Sequence, residues 1–354
     1  KVTTLDLGLD ARFFNDALGV TFDWYNRTTS DILTTANLPA TLGADAPYEN
    51  MGTIQTKGWE LAIDYRHTFK NGLHFGVTAS VADDKTEVTK WTYNTKIPSY
   101  GATGWWDKSA YKEGMVLGDI WGLQFDRFLT EDDFNADGSL KAGLPDQTKV
   151  FPAGYQFAPG DVLYKDLDNN GEIVKQTNTN DKGDLSVIGN ALPRLQFGLN
   201  LDAAWKGFDI SMFFQGVAKR KLWAAGNQVL PGFTTGEPFY KGAEDYWTPE
   251  NTDAFYPRPM DYKQSASGNY SVNDRYLLNM AYLRLKTFTV GYSLPKVWLS
   301  KFKVQGLRVY FTGENLFTID GVKPAIDPEI GIRTASGKSD QRNFGRSYPY
   351  QKTV

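Results

Sequence analysis

From Leu5 to Phe13 every second residue is apolar: Leu5, Leu7, Leu9, Ala11 and Phe13 alternate with Asp6, Gly8, Asp10 and Arg12. A period of two marks a β-strand with one apolar face. After a short turn at Asn15-Asp16 the pattern resumes, with Leu18, Val20, Phe22 and Trp24 against Thr21, Asp23 and Tyr25. A third run sets Trp59, Leu61, Ile63 and Tyr65 against Glu60, Asp64 and Arg66. Asn71-Gly72, two residues that tolerate positive φ, then predicts a tight hairpin into Leu73, Phe75, Val77, Ala79 and Val81. The same habit returns over 195–203, breaks at Lys206-Gly207, and resumes with Phe208, Ile210, Met212 and Phe214. A last pair covers about 281–294 and 303–316. In the first of these the apolar phase slips between Leu283/Leu285 and Phe288/Val290/Tyr292, which predicts a bulge or a two-sided environment. Eight strands are expected, and Lys352-Thr353-Val354 is the expected start of a ninth.

The connections between these strands alternate in length. Those near 14–16, 70–71, 205–207 and 295–302 are short, whereas 29–51, 85–188, 218–280 and 318–350 are long. An antiparallel meander therefore places all short turns at one end and all long loops at the other, the asymmetry of a membrane β-barrel. A soluble sheet with a solvated outer face is the alternative on pattern alone. The polar strand positions (Asp6, Asp10, Arg12, Asp23, Glu60, Asp64 and Arg66) suit a wet lumen better than a dry core. Trp24, Tyr25, Trp59, Trp205, Tyr292 and Trp298, near strand ends, suit interfacial girdles.

Composition narrows this further. There are 38 basic and 41 acidic residues, a net charge of -3, which argues against a nucleic-acid binder. No Cys is present, so disulfides, thiolate metal sites and cysteine nucleophiles are excluded. The longest unbroken apolar run is four residues, starting at Leu222, far short of a spanning helix of about 20 residues. No signal peptide is visible, and Lys1 opens almost inside a strand pattern, as expected of a mature piece or a fragment.

One local string carries metal chemistry. Asp166-Leu167-Asp168-Asn169-Asn170-Gly171-Glu172 repeats the opening of a calcium loop, with oxygen ligands at the first, third and fifth places and a turn glycine at the sixth. Thr177 stands where the closing Glu belongs; Asp181 or Asp184 could close the coordination instead. The candidate ligands are Asp166, Asp168, Asn170 and Glu172, the candidate ion is a structural Ca2+, and the alternative is a ligand-free Asx turn. Asp133-Phe134-Asn135-Ala136-Asp137-Gly138 has similar spacing, but Leu144 occupies its closing place. Catalytic groups are few. His67 and His74 flank a hairpin, with no serine nucleophile signature near them, and Glu113, Asp119 and Glu131 form no distinguishable carboxylate pair. The long loops also hold clustered rings, among them Trp105, Trp106, Trp121, Trp223, Tyr246 and Trp247. These suit sugar faces, peptide side chains or a protein partner, or else small cores of the loops' own.

Four stretches resemble, in order, one known family: YENMGTIQTKGWELAIDYR (48–66), GDVLYKDLDNNGEI (160–173), SVIGNALPRLQFGLNLDAAWKGFDISMFFQGV (186–217) and AYLRLKTFTVGYSLPKVWLSKFKVQGLRVYFTGENLFTI (281–319). They are similar to the C-terminal barrel of the SusC/RagA family, TonB-linked outer-membrane transporters of Bacteroidetes-type bacteria. The resemblance implies an all-β fold, an antiparallel transmembrane β-barrel. The chain would be the C-terminal portion of a 22-stranded TonB-dependent transporter barrel with long extracellular loops, the plug domain and early strands absent and the last strand truncated. It implies energy-coupled import of oligosaccharides or peptides across the cell outer membrane, with no bond chemistry and no required cofactor. The implied partners are a SusD-like surface lipoprotein, the TonB-ExbB-ExbD complex through the missing N-terminal part, outer-membrane lipid, and a glycan or peptide substrate. The aspartate loop would brace a long loop that meets the lipoprotein, with Asn170 replacing the family's usual third aspartate. Two other classes remain open on the residues alone: a soluble or surface-anchored β-rich glycan-binding module, and a carbohydrate-active enzyme.

Overall fold

The computed structural model describes residues 1–35, 47–92, 112–175, 182–224, 226, 228–233, 239–260, 268–301, 303–323, 326–329 and 351–354. The strands are β1 (Val2–Phe13), β2 (Leu18–Thr35), β3 (Tyr48–Thr68), β4 (His74–Trp91), β5 (Asp119–Gly122), β6 (Phe125–Phe128), β7 (Val162–Tyr164), β8 (Ser186–Asn190), β9 (Arg194–Trp205), β10 (Phe208–Lys219), β11 (Lys221–Leu222), β12 (Leu278–Asn279), β13 (Tyr282–Ser293) and β14 (Arg308–Asp320). Eight of them form one sheet in the order β1-β2-β3-β4-β9-β10-β13-β14, with every neighbouring pair antiparallel. These are the eight strands the alternation predicts. Residue Thr353 exchanges both backbone hydrogen bonds with Glu314 on the free side of β14, where a ninth strand was expected to start.

The short turns follow from local chemistry. Phe14, Asn15 and Asp16 take positive φ between β1 and β2, Gly72 does so between β3 and β4, and Lys206-Gly207 does so between β9 and β10. A one-turn helix, α1 (Lys296–Ser300), joins β13 to β14. All four turns lie at one end of the sheet.

Register carries the apolar positions across the whole sheet. Ala11 pairs Val20, Val20 pairs Ile63, Ile63 pairs Ala79, Ala79 pairs Leu199, Leu199 pairs Phe214, Phe214 pairs Leu285 and Leu285 pairs Phe317. The row beside it runs from Leu9 through Phe22, Leu61 and Val81 to Phe197. These side chains face outward: Leu9 is 60% exposed and Phe22 38%. The opposite face carries Asp10, Thr21, Ala62, Ser80 and Gly198 in one row, and Gly8, Asp23, Glu60, Ala82 and Gln196 in the next. Trp24 and Trp59 are direct partners at the top of the apolar band. Tyr25, expected with them in a girdle, is on the polar face instead, its ring lying over Gly58, because a period of two sends adjacent residues to opposite sides.

The bulge expected in β13 is present. Register slips between Leu285 and Thr287 against β14 and between Phe213 and Phe214 against β10, so Lys286 is the extra residue. β2, β3 and β4 run further than the alternation shows, to Thr35, from Tyr48 and to Trp91. At roughly 3.4 Å per residue the 21 residues of β3 span about 70 Å, more than twice a hydrocarbon core of about 30 Å. Their distal halves carry Arg27, Thr28, Glu49, Gln55, Lys57, Lys85 and Glu87. There the apolar band ends, so the alternation that marks a strand ends with it.

The two larger buried clusters lie in the long connections, outside the eight-stranded sheet. One cluster gathers Ile120, Leu222, Trp223, Leu230, Tyr256, Tyr276 and Met280; a second gathers Leu123, Phe128, Phe151, Val162, Tyr164, Ile173 and Trp247. A third, of Val88, Trp91 and Met115, fastens this body to the top of β4. Within it, β5 pairs β8, β6 pairs β7 and β11 pairs β12.

Candidate functional site

Two excursions, between β4 and β9 and between β10 and β13, fold into one body. Leu123 and Asn273 form a parallel bridge, and Phe125 N donates to Asp274 Oδ1 at 2.8 Å. At its centre Asp161, fully buried, accepts hydrogen bonds from Arg258 Nε (2.8 Å), Tyr155 Oη (2.8 Å), Asn269 Nδ2 (2.9 Å) and the Ala158 amide (2.9 Å). Burial, together with the Asp161 charge, pushes the Tyr155 hydroxyl well above its ordinary pKa, so it stays a donor. Asp161 stands in the GDVLYKDLDNNGEI stretch, but no local pattern shows its partners, which come from 155–158 and from about a hundred residues downstream.

The aspartate string forms a tight loop beside this body. Asp166 Oδ2 accepts from Gly171 N (2.8 Å), Asp168 Oδ1 from Asn170 N (3.1 Å), and Asn170 Oδ1 from Glu172 N (2.7 Å). Asn169 and Gly171 both take positive φ, which turns the chain around the carboxylates. Asp184 closes the cluster from the next turn: carboxylate oxygens of Asp166, Asp168 and Asp184 all lie within 4.8 Å of one another. Asp184 is buried and accepts from Leu167 N and Val174 N, both at 2.8 Å. Desolvation, and then the nearby Asp184 charge, raise the Asp168 pKa. At Asp166 desolvation is outweighed by the backbone donors led by Gly171 N, and the pKa falls. Three converging carboxylates of this kind are hard oxygen donors, and a divalent cation would relieve their repulsion.

The other predicted ligands are placed otherwise. The Asn170 side chain bonds within the loop, donating to Asp168 Oδ2 at 2.9 Å, and Glu172 pairs with Lys149. Asp181 lies outside the described residues, as do Trp105 and Trp106. In the second string, Asp133 binds Arg127 through two hydrogen bonds of 2.6 and 2.7 Å and caps a short 3-10 turn. Among the loop carboxylates, Glu113 accepts from Trp91 N at 3.3 Å and Asp119 from Val116 N at 3.1 Å, both structural contacts. Trp223 and Trp247 lie in the two cores, Trp121 packs partly buried against the second, and Tyr246 is exposed.

The polar face of the sheet holds a trough of about 510 Å³, bordered by Thr21, Asp23, Glu60, Ser80, Gln196 and Gln215. Asp23 and Glu60 are direct ladder partners there, a pairing that only a hydrated face accommodates.

Comparison with known proteins follows the same lines. The family described as TonB dependent receptor-like, beta-barrel, matches residues 1–170. The chain is 28% identical over 353 residues to TonB-dependent receptor P3 of Formosa agariphila, covering 97% of this chain and 32% of that one. It is 23% identical over 339 residues to TonB-dependent receptor SusC of Bacteroides thetaiotaomicron, covering 93% and 30%. Along nearly its whole length the chain is similar to SusC/RagA-like TonB-dependent receptors.

It spans about a third of the length of the receptors it matches. The solved structure of the RagAB peptide transporter shares the fold, with a TM-score of 0.66 at 20% identity over 93% of this chain and 32% of that one. A further RagAB peptide importer structure, described as open-open, matches with a TM-score of 0.62 at 19% identity, covering 93% and 32%. For a receptor of this family the place is the outer membrane. The matched proteins are receptors and transporters.

Proposed function

We propose that the receptor containing this chain imports oligosaccharides or peptides across the outer membrane with energy delivered through TonB. In this reading the sheet is the C-terminal part of a 22-stranded barrel. The loop body stands at the outer mouth and meets a SusD-like lipoprotein. The observation that supports it most is the pair of faces on the sheet. Apolar side chains run outward in register across all eight strands, while Asp10, Asp23, Glu60 and Asp64 share the other face. A soluble module would bury Leu5, Leu7 and Leu9, each of which is more than half exposed.

The aspartate loop has a supporting part. A Ca2+ held by Asp166, Asp168 and Asp184 would supply charge neutralisation and brace the turn against Lys149–Glu172 on its far side. The test of the whole reading is uptake of labelled glycans and peptides by cells carrying the full-length receptor and its neighbouring lipoprotein. Accumulation that requires both the receptor and TonB is expected. Accumulation unchanged when TonB is deleted would overturn the proposal.

A further inference from the structure

Most large apolar side chains exposed on this protein lie on the sheet or at its short turns, where lipid or the interface covers them. Within the described part of the loop body only Val187, Phe239, Tyr240 and Tyr246 are of this kind, and three of the four converge on one cavity. The cavity measures about 640 Å³ and is carried entirely by the connection between β11 and β12. Its floor is fixed. Tyr256 and Tyr270 belong to the larger core, Tyr256 Oη donates to Val229 O at 3.0 Å, and Tyr246 and Tyr256 are joined by a backbone bridge. Gly232, at positive φ, lets the Phe239 ring lie close above the chain. A rigid aromatic floor under an exposed aromatic rim is a preformed pocket.

The chemistry of the walls selects among ligands. Besides the rings, the described lining consists of Pro231, Pro257, Pro259 and Ala243, with Lys241 and Glu244 as its charged groups. Neither carries an ion pair among the described residues. Among the described residues no Asp, Asn, Gln or Arg side chain lines it. A sugar ring presents several hydroxyls, and among the described lining residues Glu244 is the one carboxylate, with no planar amide, to replace the water they would surrender. An aromatic or prolyl side chain has flat apolar faces and makes no such demand. A neighbouring peptide carboxylate or amine could meet Lys241 or Glu244.

We infer that this cavity is a binding site for an extended peptide that inserts an aromatic or prolyl side chain between the rings at 239–246 and those at 256 and 270. The inference deepens the importer reading by naming the ligand of one outer-loop site.

The test is calorimetric titration of the full-length receptor in detergent with the tetrapeptide Gly-Pro-Tyr-Gly and, separately, with maltotriose. Saturable peptide binding is expected, weakened about tenfold or more by Tyr246→Ala and by Phe239→Ala, and unchanged by Val187→Ala. All three positions are exposed, so their melting temperatures should match the parent's, and that is measured alongside. Peptide binding insensitive to both ring substitutions, no peptide binding at all, or maltotriose binding lost with Tyr246→Ala would each overturn the inference. The assay reads binding alone, so its failure leaves TonB-dependent uptake, and with it the importer reading, standing.

Discussion

Arg284 Nη2 lies 2.7 Å from Asp327 Oδ1, with both side chains almost wholly removed from solvent. Glu329 joins them, 3.3 Å from Arg284 Nη1 and 2.7 Å from Lys286 Nζ, while Thr318 Oγ1 accepts from Arg284 Nε. The β13 bulge makes this arrangement: with Lys286 as an extra residue, both cations of 284–286 serve the segment 326–329. That segment is thereby strapped against the top of β13 and β14. Removing one member of a buried pair leaves the other charged and desolvated, so Asp327→Ala should cost about 3 kcal/mol of local stability. Hydrogen exchange of 326–329 and of β13 reads this directly. Exchange unchanged by the substitution would show that the strap is not held by these charges.

The acid cluster predicts a cation effect. Calcium should raise the unfolding temperature of the loop body, and Asp168→Asn should remove most of that rise. Asp168 is the cleaner probe, because Asp184 also anchors two backbone amides. Asp168 has a raised pKa from desolvation and the Asp184 charge, so it takes up a proton earlier on acidification than an ordinary aspartate. Calcium stabilisation should therefore be full near neutral pH and fade as pH falls toward and through the raised value. Melting curves with calcium and with EDTA across that range check it; identical curves at neutral pH would exclude a bound cation.

Asp133 predicts an acid limb. The bidentate Arg127 pair holds its carboxyl at about 2, below the ordinary value of about 3.9. A lowered folded pKa means the stabilisation is present above about pH 4 and is lost as pH falls through about 2. Arg127 is 42% exposed, so solvent screening reduces the effect to about 1 kcal/mol. Tryptophan fluorescence of the loop body during acid titration should show this step in the parent and not in Asp133→Asn.

The lipid-facing rows predict a contrast between neighbours. Leu61→Arg places a cation on the outer face near mid-band and should cost about 2–4 kcal/mol of barrel stability. Ala62→Ser, one residue along and on the polar face, should be close to neutral. Urea unfolding of the full-length receptor in bilayers measures both.

Much of this was legible in the sequence where the membrane imposes a rule. One apolar face forces a period of two, and that period located all eight sheet strands and their four short turns; its slip after Leu285 pointed to a bulge or a two-sided environment, and the structure has the bulge, at Lys286. Where the rule lapses, legibility lapses too. The distal halves of β2, β3 and β4 have polar residues on both faces and read as loop. The strands β5 to β8, β11 and β12 have two to five residues, too few for a period to register. Asp166 and Asp168 were visible because calcium-loop ligands sit close in sequence, and Asp184 was visible as a closing candidate. Asp161 with Arg258, and Asp327 with Arg284, depend on contacts across 97 and 43 residues. No local pattern marks such pairs. The loop aromatics divided by burial, Trp223 and Trp247 inside and Tyr246 outside, which sequence alone does not decide.

The central claim is that the faces of this sheet divide lipid from lumen, and the chain's lack of cysteine makes it directly measurable. Single cysteines at Leu9, Phe22, Leu61 and Val81, and at Asp10, Thr21, Ala62 and Ser80, would be labelled with a fluorophore in the full-length receptor and reconstituted with brominated lipid. Quenching at the first four and little at the second four is the predicted result. Equal quenching in the two sets, or the reverse order, would contradict it.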